Sequence, residues 1–157
     1  MLIDVKILDE SSVVDLNALV TTLSRLNGRC GAVVLFIGVV KGLVEGNRDV
    51  YELEYTGIKD VAIKTMERIA REEAEKYRLS QVTIWHKVGK LKPGEITIVI
   101  AVLAESRREA FRAAEEILER VKREVPIFKL EKRSDGEFWV IGDGVRVKRE
   151  LREQTNK

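Results

Sequence analysis

A chain of 157 residues, 45% of them hydrophobic, can bury one real core and suits a single domain. Its 28 basic and 26 acidic residues leave a net charge of +2, too small an excess to argue for a nucleic-acid binder. The single cysteine, Cys30, excludes an internal disulfide and fits a reducing cytoplasm. No cleavable signal or membrane span is expected, because the longest apolar run, residues 32–40, is far too short for one.

Residues 2–8 alternate, with Ile3, Val5 and Ile7 against Asp4 and Lys6, which predicts a half-buried edge strand. Ser11, Ser12 or Asp15 can cap the helix that follows. Its apolar positions Leu16, Leu19, Val20, Leu23 and Leu26 recur at helical spacing, and Asn27-Gly28 predicts a left-handed stop. Residues 31–40 are nearly all apolar and β-branched, the pattern of a central strand covered on both faces. Lys41 leaves that strand for a polar, glycine-bearing loop. On its own it reads equally as a lysine turning to solvent.

Residues 50–55 form the next strand, with Glu52 and Glu54 on its polar side. A long helix over 58–77 buries Ala62, Met66, Ile69, Ala70 and Tyr77 and turns a charged face to water. A strand over 82–88 carries Trp85 and the only histidine, His86, which reads as structural. Lys92-Pro93-Gly94-Glu95 is a turn into an apolar strand over 96–103.

Ser106, with Glu109 three residues on, predicts a capping box at the start of a third helix. Its stripe is Ala110, Phe111, Ala114, Ile117, Leu118 and Val121. The free amides of its first turn, with Arg107 beside them, attract anions. Pro126 disfavours the α region for Val125, so this helix should end by Glu124 and a strand should begin. In that strand Phe128 and Leu130 are expected to face the core, and Ile127, Lys129 and Glu131 the other side. Lys122 lies on or beside the apolar stripe, so Lys122, Lys129 and Glu131 converge near one helix–strand junction. The same residues also fit a lysine favoured at a helix C-terminus and a solvated strand face. Residues 1–142 read as one domain. Residues 143–157 read as a charged surface strand or short helix and then a frayed tail. The whole order gives an α+β domain, helices packed on a mostly antiparallel sheet. No zinc-ligand spacing, phosphate loop or dinucleotide fingerprint occurs in the sequence.

Four blocks occur in a specific order. The first is Gly31-Ala32, Phe36, Gly38 and Lys41. The second is His86-Lys87-Val88-Gly89, and the third Ser106-Arg107 ahead of Ala110-Phe111. The last is Lys122 followed by Val125-Pro126-Ile127-Phe128-Lys129-Leu130-Glu131 and the turn Asp135-Gly136 before Trp139. Together they resemble the catalytic, large subunit of molybdopterin synthase. Two positions depart from that family: Lys41 stands where arginine is usual, and Ser106 where histidine is usual.

The resemblance implies an α/β-hammerhead-like fold and a sulfurtransferase acting as a homodimer. Each protomer would bind a small ubiquitin-like sulfur carrier ending in a Gly-Gly thiocarboxylate, giving a heterotetramer. Sulfur would pass to cyclic pyranopterin monophosphate to form the molybdopterin dithiolene. By the same resemblance Lys122 and Lys129 are catalytic, and Val39, Val40, Lys41, Ser106, Arg107, Lys122, Lys129, Leu130 and Glu131 bind substrate. No metal, organic cofactor, nucleic acid or membrane is then needed. Lys41, Arg107, Lys122 and Lys129 are expected in one pocket, an arrangement that is costly without an anion. The alternative is a non-enzymatic anion-, nucleotide- or RNA-binding module. It would explain the lysines but not their place at a proline-bounded junction, and the chain lacks aromatic clusters suited to stacking bases.

Overall fold

The computed structural model describes residues 1–142 and 144–150. The described residues form β1 Leu2–Leu8, α1 Leu16–Arg25, β2 Ala32–Val39, β3 Leu43–Val44, β4 Arg48–Gly57, α2 Lys59–Tyr77, β5 Gln81–Lys87, β6 Gly89–Leu91, β7 Ile96–Ala104, α3 Arg107–Glu124, β8 Ile127–Arg133, β9 Gly136–Ile141 and β10 Val145–Lys148. One sheet has the order β1-β5-β7-β2, and only its β1–β5 pairing is parallel. The second runs β10-β9-β8-β4-β3, with β6 also paired to β4, and is antiparallel throughout. The α+β class with a mostly antiparallel sheet is therefore as the sequence predicts.

Hydrophobic burial sets the layers. Met66 and Ile69 of α2, with Ile117 and Val121 of α3, pack on Val82, Ile84, Ile100 and Val102 on one face of the first sheet. Leu19 and Leu23 of α1 cover Val99, Ala101 and Leu103 on the other. Fully burying a side chain of this kind stabilises by about 1.5–3 kcal/mol, so amphipathic faces rather than helix propensity hold the elements in place. A polar seam joins α2 to α3. Arg120 donates to Glu124 at 2.7 Å, Glu72 at 2.6 Å and the buried Glu73 at 3.0 Å. None of the helices described is long and apolar enough to cross a membrane.

Several expectations are corrected. Among the described residues β2 is not central: it pairs only with β7 and forms an edge, while β5 and β7 lie inside. Its continuous apolar run reports covered faces, with Val34 and Phe36 on one core and Val33 and Leu35 on the other. It carries no information about who pairs with its edge. α1 has no left-handed stop, since Leu26 is right-handed and Asn27 instead accepts from the Arg29 amide at 3.0 Å. The left-handed cap falls on α2, at Arg78 with φ 52°. Asp15 wins the α1 cap by accepting from the Ala18 amide at 2.9 Å, because Ser11 and Ser12 bond Asp9. Ser106 is the N-cap of α3, but its hydroxyl donates to the Glu109 carboxylate and no side-chain capping bond forms. Phe111 and Phe128 are not in the core, being 64% and 55% exposed. The tail holds a paired strand, β10, while residues 151–157 and Asp143 lie outside the described residues.

Candidate functional site

The helix–strand corner is built as the local chemistry requires. α3 ends at Glu124, and Val125 takes the extended conformation, φ −84° and ψ 127°, that a following proline favours. The chain turns there with Lys122 in the last helical turn and Lys129 in the strand leaving the corner. Lys129 is the register partner of Tyr55 on β4 and of Val140 on β9, so the three make one row across the second sheet. Cross-strand partners share a face.

That row forms one wall of a cavity of about 380 Å³ where the two sheets meet. Val121, Lys122 and Val125 close it from the end of α3. Gly38, Val39 and Lys41 line it from the end of β2. His86 on β5 and Thr97 on β7 complete the polar lining. Gly38 leaves room here, because a Cβ at that position would come within 2.7 Å of the Ile98 side chain.

Three cations therefore share one hollow: Lys41, Lys122 and Lys129. Lys129 titrates below an ordinary lysine, first because it is withdrawn from water and then because Lys122 stands close. Arg146 and Lys41 push the same way, and Glu131 opposes them. His86 is pushed down to about 4, chiefly by burial and with Lys129 adding to it, so it is neutral at ordinary pH. Tyr55 is pushed up by burial, shares a hydrogen bond with Thr97, and meets the His86 ring edge-on at 5.1 Å between centroids. Lys129 is half-buried while Lys41 and Lys122 are exposed at the rim, and together the three place donors to meet negative charge that develops on a bound group.

Of the residues expected in the site, Val39, Lys41, Lys122 and Lys129 come together. Glu131 is on the same face of β8 as Lys129 but outside the cavity lining, buried, with its carboxylate held by Arg146 at 2.9 and 3.2 Å and by Arg133 at 3.5 Å. Leu130 is buried on the opposite face of β8. Val40 packs in a separate cluster with Val50, Leu53 and Leu91. Ser106 and Arg107 open α3 at its far end. By the rise of a helix that is about 22 Å from Lys122. There Ser106 lines another depression, with Lys76, Tyr77 and Arg78. Tyr55, His86 and Thr97 on the wall, and Arg146 beside it, were not among the expected residues. Only the alternation of Glu54 with Leu53 and Tyr55, and of Arg146 with Val145 and Val147, hints at them in the sequence.

A family model described as MoaE protein matches residues 9–124. The molybdopterin synthase catalytic subunit of Pyrococcus abyssi is 43% identical over 120 residues, 76% of this chain and 80% of that protein. The molybdopterin synthase catalytic subunit of Bacillus subtilis is 41% identical over 113 residues, 72% of this chain and 71% of that protein. The crystal structure of molybdopterin synthase from Staphylococcus aureus matches with a TM-score of 0.75 at 33% identity, covering 85% of this chain and 94% of that one.

Proposed function

This chain belongs to the MoaE protein family, and from that membership we propose that it is the catalytic subunit of a molybdopterin synthase. In this reading a small ubiquitin-like protein threads its C-terminal Gly-Gly thiocarboxylate into the cavity. Sulfur passes from it to cyclic pyranopterin monophosphate, water supplying the oxygen that turns the emptied thiocarboxyl group into a carboxylate, and two such transfers, each from a freshly charged carrier, make the dithiolene. The observation that carries the reading is the convergence of Lys122 and Lys129, from two different elements, on one hollow faced by Lys41.

The chemistry follows from charge. Both the sulfur donor and the substrate are anionic, and three lysines lining one hollow attract such groups. Lys122 and Lys129 would stabilise the oxyanion that develops at the thiocarboxyl carbon. Lys129, with its proton held less tightly than an ordinary lysine's, suits protonation of a leaving oxygen. Lys41 would hold phosphate as a point charge, without the two-pronged grip of arginine. Since the sulfur donor is itself a protein, the reading calls for no resident cofactor, and it places the reaction in the cytoplasm.

Ser106 and Arg107 can serve this cavity only from a second copy of the chain, given the length of α3 between them and Lys122. The reading is therefore of a homodimer in which each cavity borrows the α3 start of its neighbour, with one sulfur carrier per protomer. Phe128, Ile141, Val145 and Val147, exposed on the outer face of the second sheet, support association with other chains. The test is to mix the protein with thiocarboxylated partner and cyclic pyranopterin monophosphate and assay molybdopterin. Product in stoichiometric yield supports the reading, and none in a single turnover overturns it.

A further inference from the structure

His86 is the one histidine of the chain, and its ring is fixed in a single tautomer. Nδ1 lies 2.7 Å from the Lys87 carbonyl oxygen. A carbonyl can only accept, so Nδ1 carries the hydrogen and Nε2 carries a lone pair. None of the described hydrogen bonds reaches Nε2. The ring is 8% exposed and lines the cavity, with Tyr55 edge-on beside it.

The rest of the polar wall is of the opposite kind. Lys41, Lys122 and Lys129 can only donate. The hydroxyls of Tyr55 and Thr97 are bonded to one another. The two hydroxyls can both donate and accept, so Nε2 is the one side-chain group on the described wall that accepts without donating. An anionic oxygen placed against it would meet lone pair with lone pair. An N–H placed against it would be satisfied.

We infer that His86 orients the substrate: Nε2 accepts a hydrogen bond from a ring N–H of the pterin, which turns the heterocycle toward β5 and the anionic end toward the three lysines. The inference rests on the function proposed above and adds a residue that reads one end of the substrate. It makes His86 a specificity-determining contact rather than an acid or base, since a ring that stays neutral moves no proton in the transfer.

Because the chain has one histidine, imidazole nitrogens labelled with ¹⁵N report the site without any substitution. The free protein should show one protonated and one unprotonated nitrogen. Adding cyclic pyranopterin monophosphate should move the unprotonated Nε2 signal toward the hydrogen-bonded position, while inorganic phosphate, which meets only the lysines, should not. A bound precursor that leaves Nε2 unmoved overturns the inference, as does an equal response to phosphate. In parallel, His86→Phe keeps the ring's bulk and removes the acceptor. It should weaken precursor binding about fivefold to tenfold, with partner binding little changed. His86→Gln, which restores an acceptor, should recover most of that loss. Equal affinity in wild type and His86→Phe overturns the inference. Failure of the functional reading is separate: it shows as wild-type protein that forms no molybdopterin at all.

Discussion

Arg146 reaches from β10 to grip Glu131 on β8 through two N–H donors, 2.9 and 3.2 Å from its carboxylate oxygens. The pair explains why the acid nearest Lys129 does not neutralise it: both oxygens are already committed. Arg146→Ala should free that carboxylate for Lys129 and raise the lysine's pKa. It should also cost about 1.5–3 kcal/mol of stability, the worth of charged hydrogen bonds in a buried place. Chemical denaturation measures the second effect, and the alkaline limb of the pH–rate profile the first. A variant of unchanged stability would show the grip to be energetically idle.

Lys122→Ala and Lys129→Ala should each lower single-turnover conversion of the precursor about a hundredfold or more, as for loss of a cation that meets transition-state charge. Partner binding and melting temperature serve as controls and should hold. Near-normal conversion by both variants removes the lysines from the chemistry and leaves only the family assignment.

Lys129 also ties activity and stability to pH in opposite senses. Its folded pKa lies below the unfolded value, so the unfolded chain binds the proton more tightly. Stability should therefore rise as pH climbs between the two, while activity that needs the charged form falls over the same range. Lys129→Met removes the burial cost of the charge. It should melt at the same temperature or higher while losing activity, a trade common at functional sites. A clear loss of stability in Lys129→Met would contradict the sign.

If Arg107 serves the neighbouring cavity, Arg107→Ala and Lys122→Ala homodimers should each be impaired, yet a mixture allowed to exchange subunits should regain activity. A mixed dimer has one cavity with both residues intact. Recovery to about a quarter of wild type fits random exchange with one working cavity in half the dimers. No recovery, with exchange demonstrated by mass spectrometry, would show that each protomer uses its own Arg107.

Arg120 holds Glu73 in place between α2 and α3, where burial raises that acid's pKa. Arg120→Met should destabilise by about 3 kcal/mol, because it strands a buried carboxylate. The double variant Arg120→Met, Glu73→Leu should regain most of the loss. Equal melting of the single and double variants would show the seam to be solvated.

What was legible in the sequence was what strand alternation and proline restriction encode. The α3 end at Glu124, the turn into β8 and the cavity side of Lys129 all followed from Val125-Pro126. Pairing was not legible. The run in β2 does not say that its edge is free, and nothing in Val145-Arg146-Val147 says that Arg146 will land beside Glu131. That His86 lines the cavity was not legible for a related reason. A histidine on a strand looks structural until the neighbouring sheet turns out to leave a hollow beside it. The expected grouping of Arg107 with Lys122 does not occur within one chain, where the length of α3 separates them.

The corner at Pro126 also constrains how such chains can diverge. One residue inserted between positions 126 and 129 would flip the register of β8, sending Lys129 to the side of Phe128 and Leu130 and bringing an apolar side chain into the hollow. The hairpin around Gly46 and Asn47, outside the cavity lining, can lengthen without such an exchange of faces. Length variation among working descendants of this chain should therefore be excluded from the segment between the two lysines and collect in that loop.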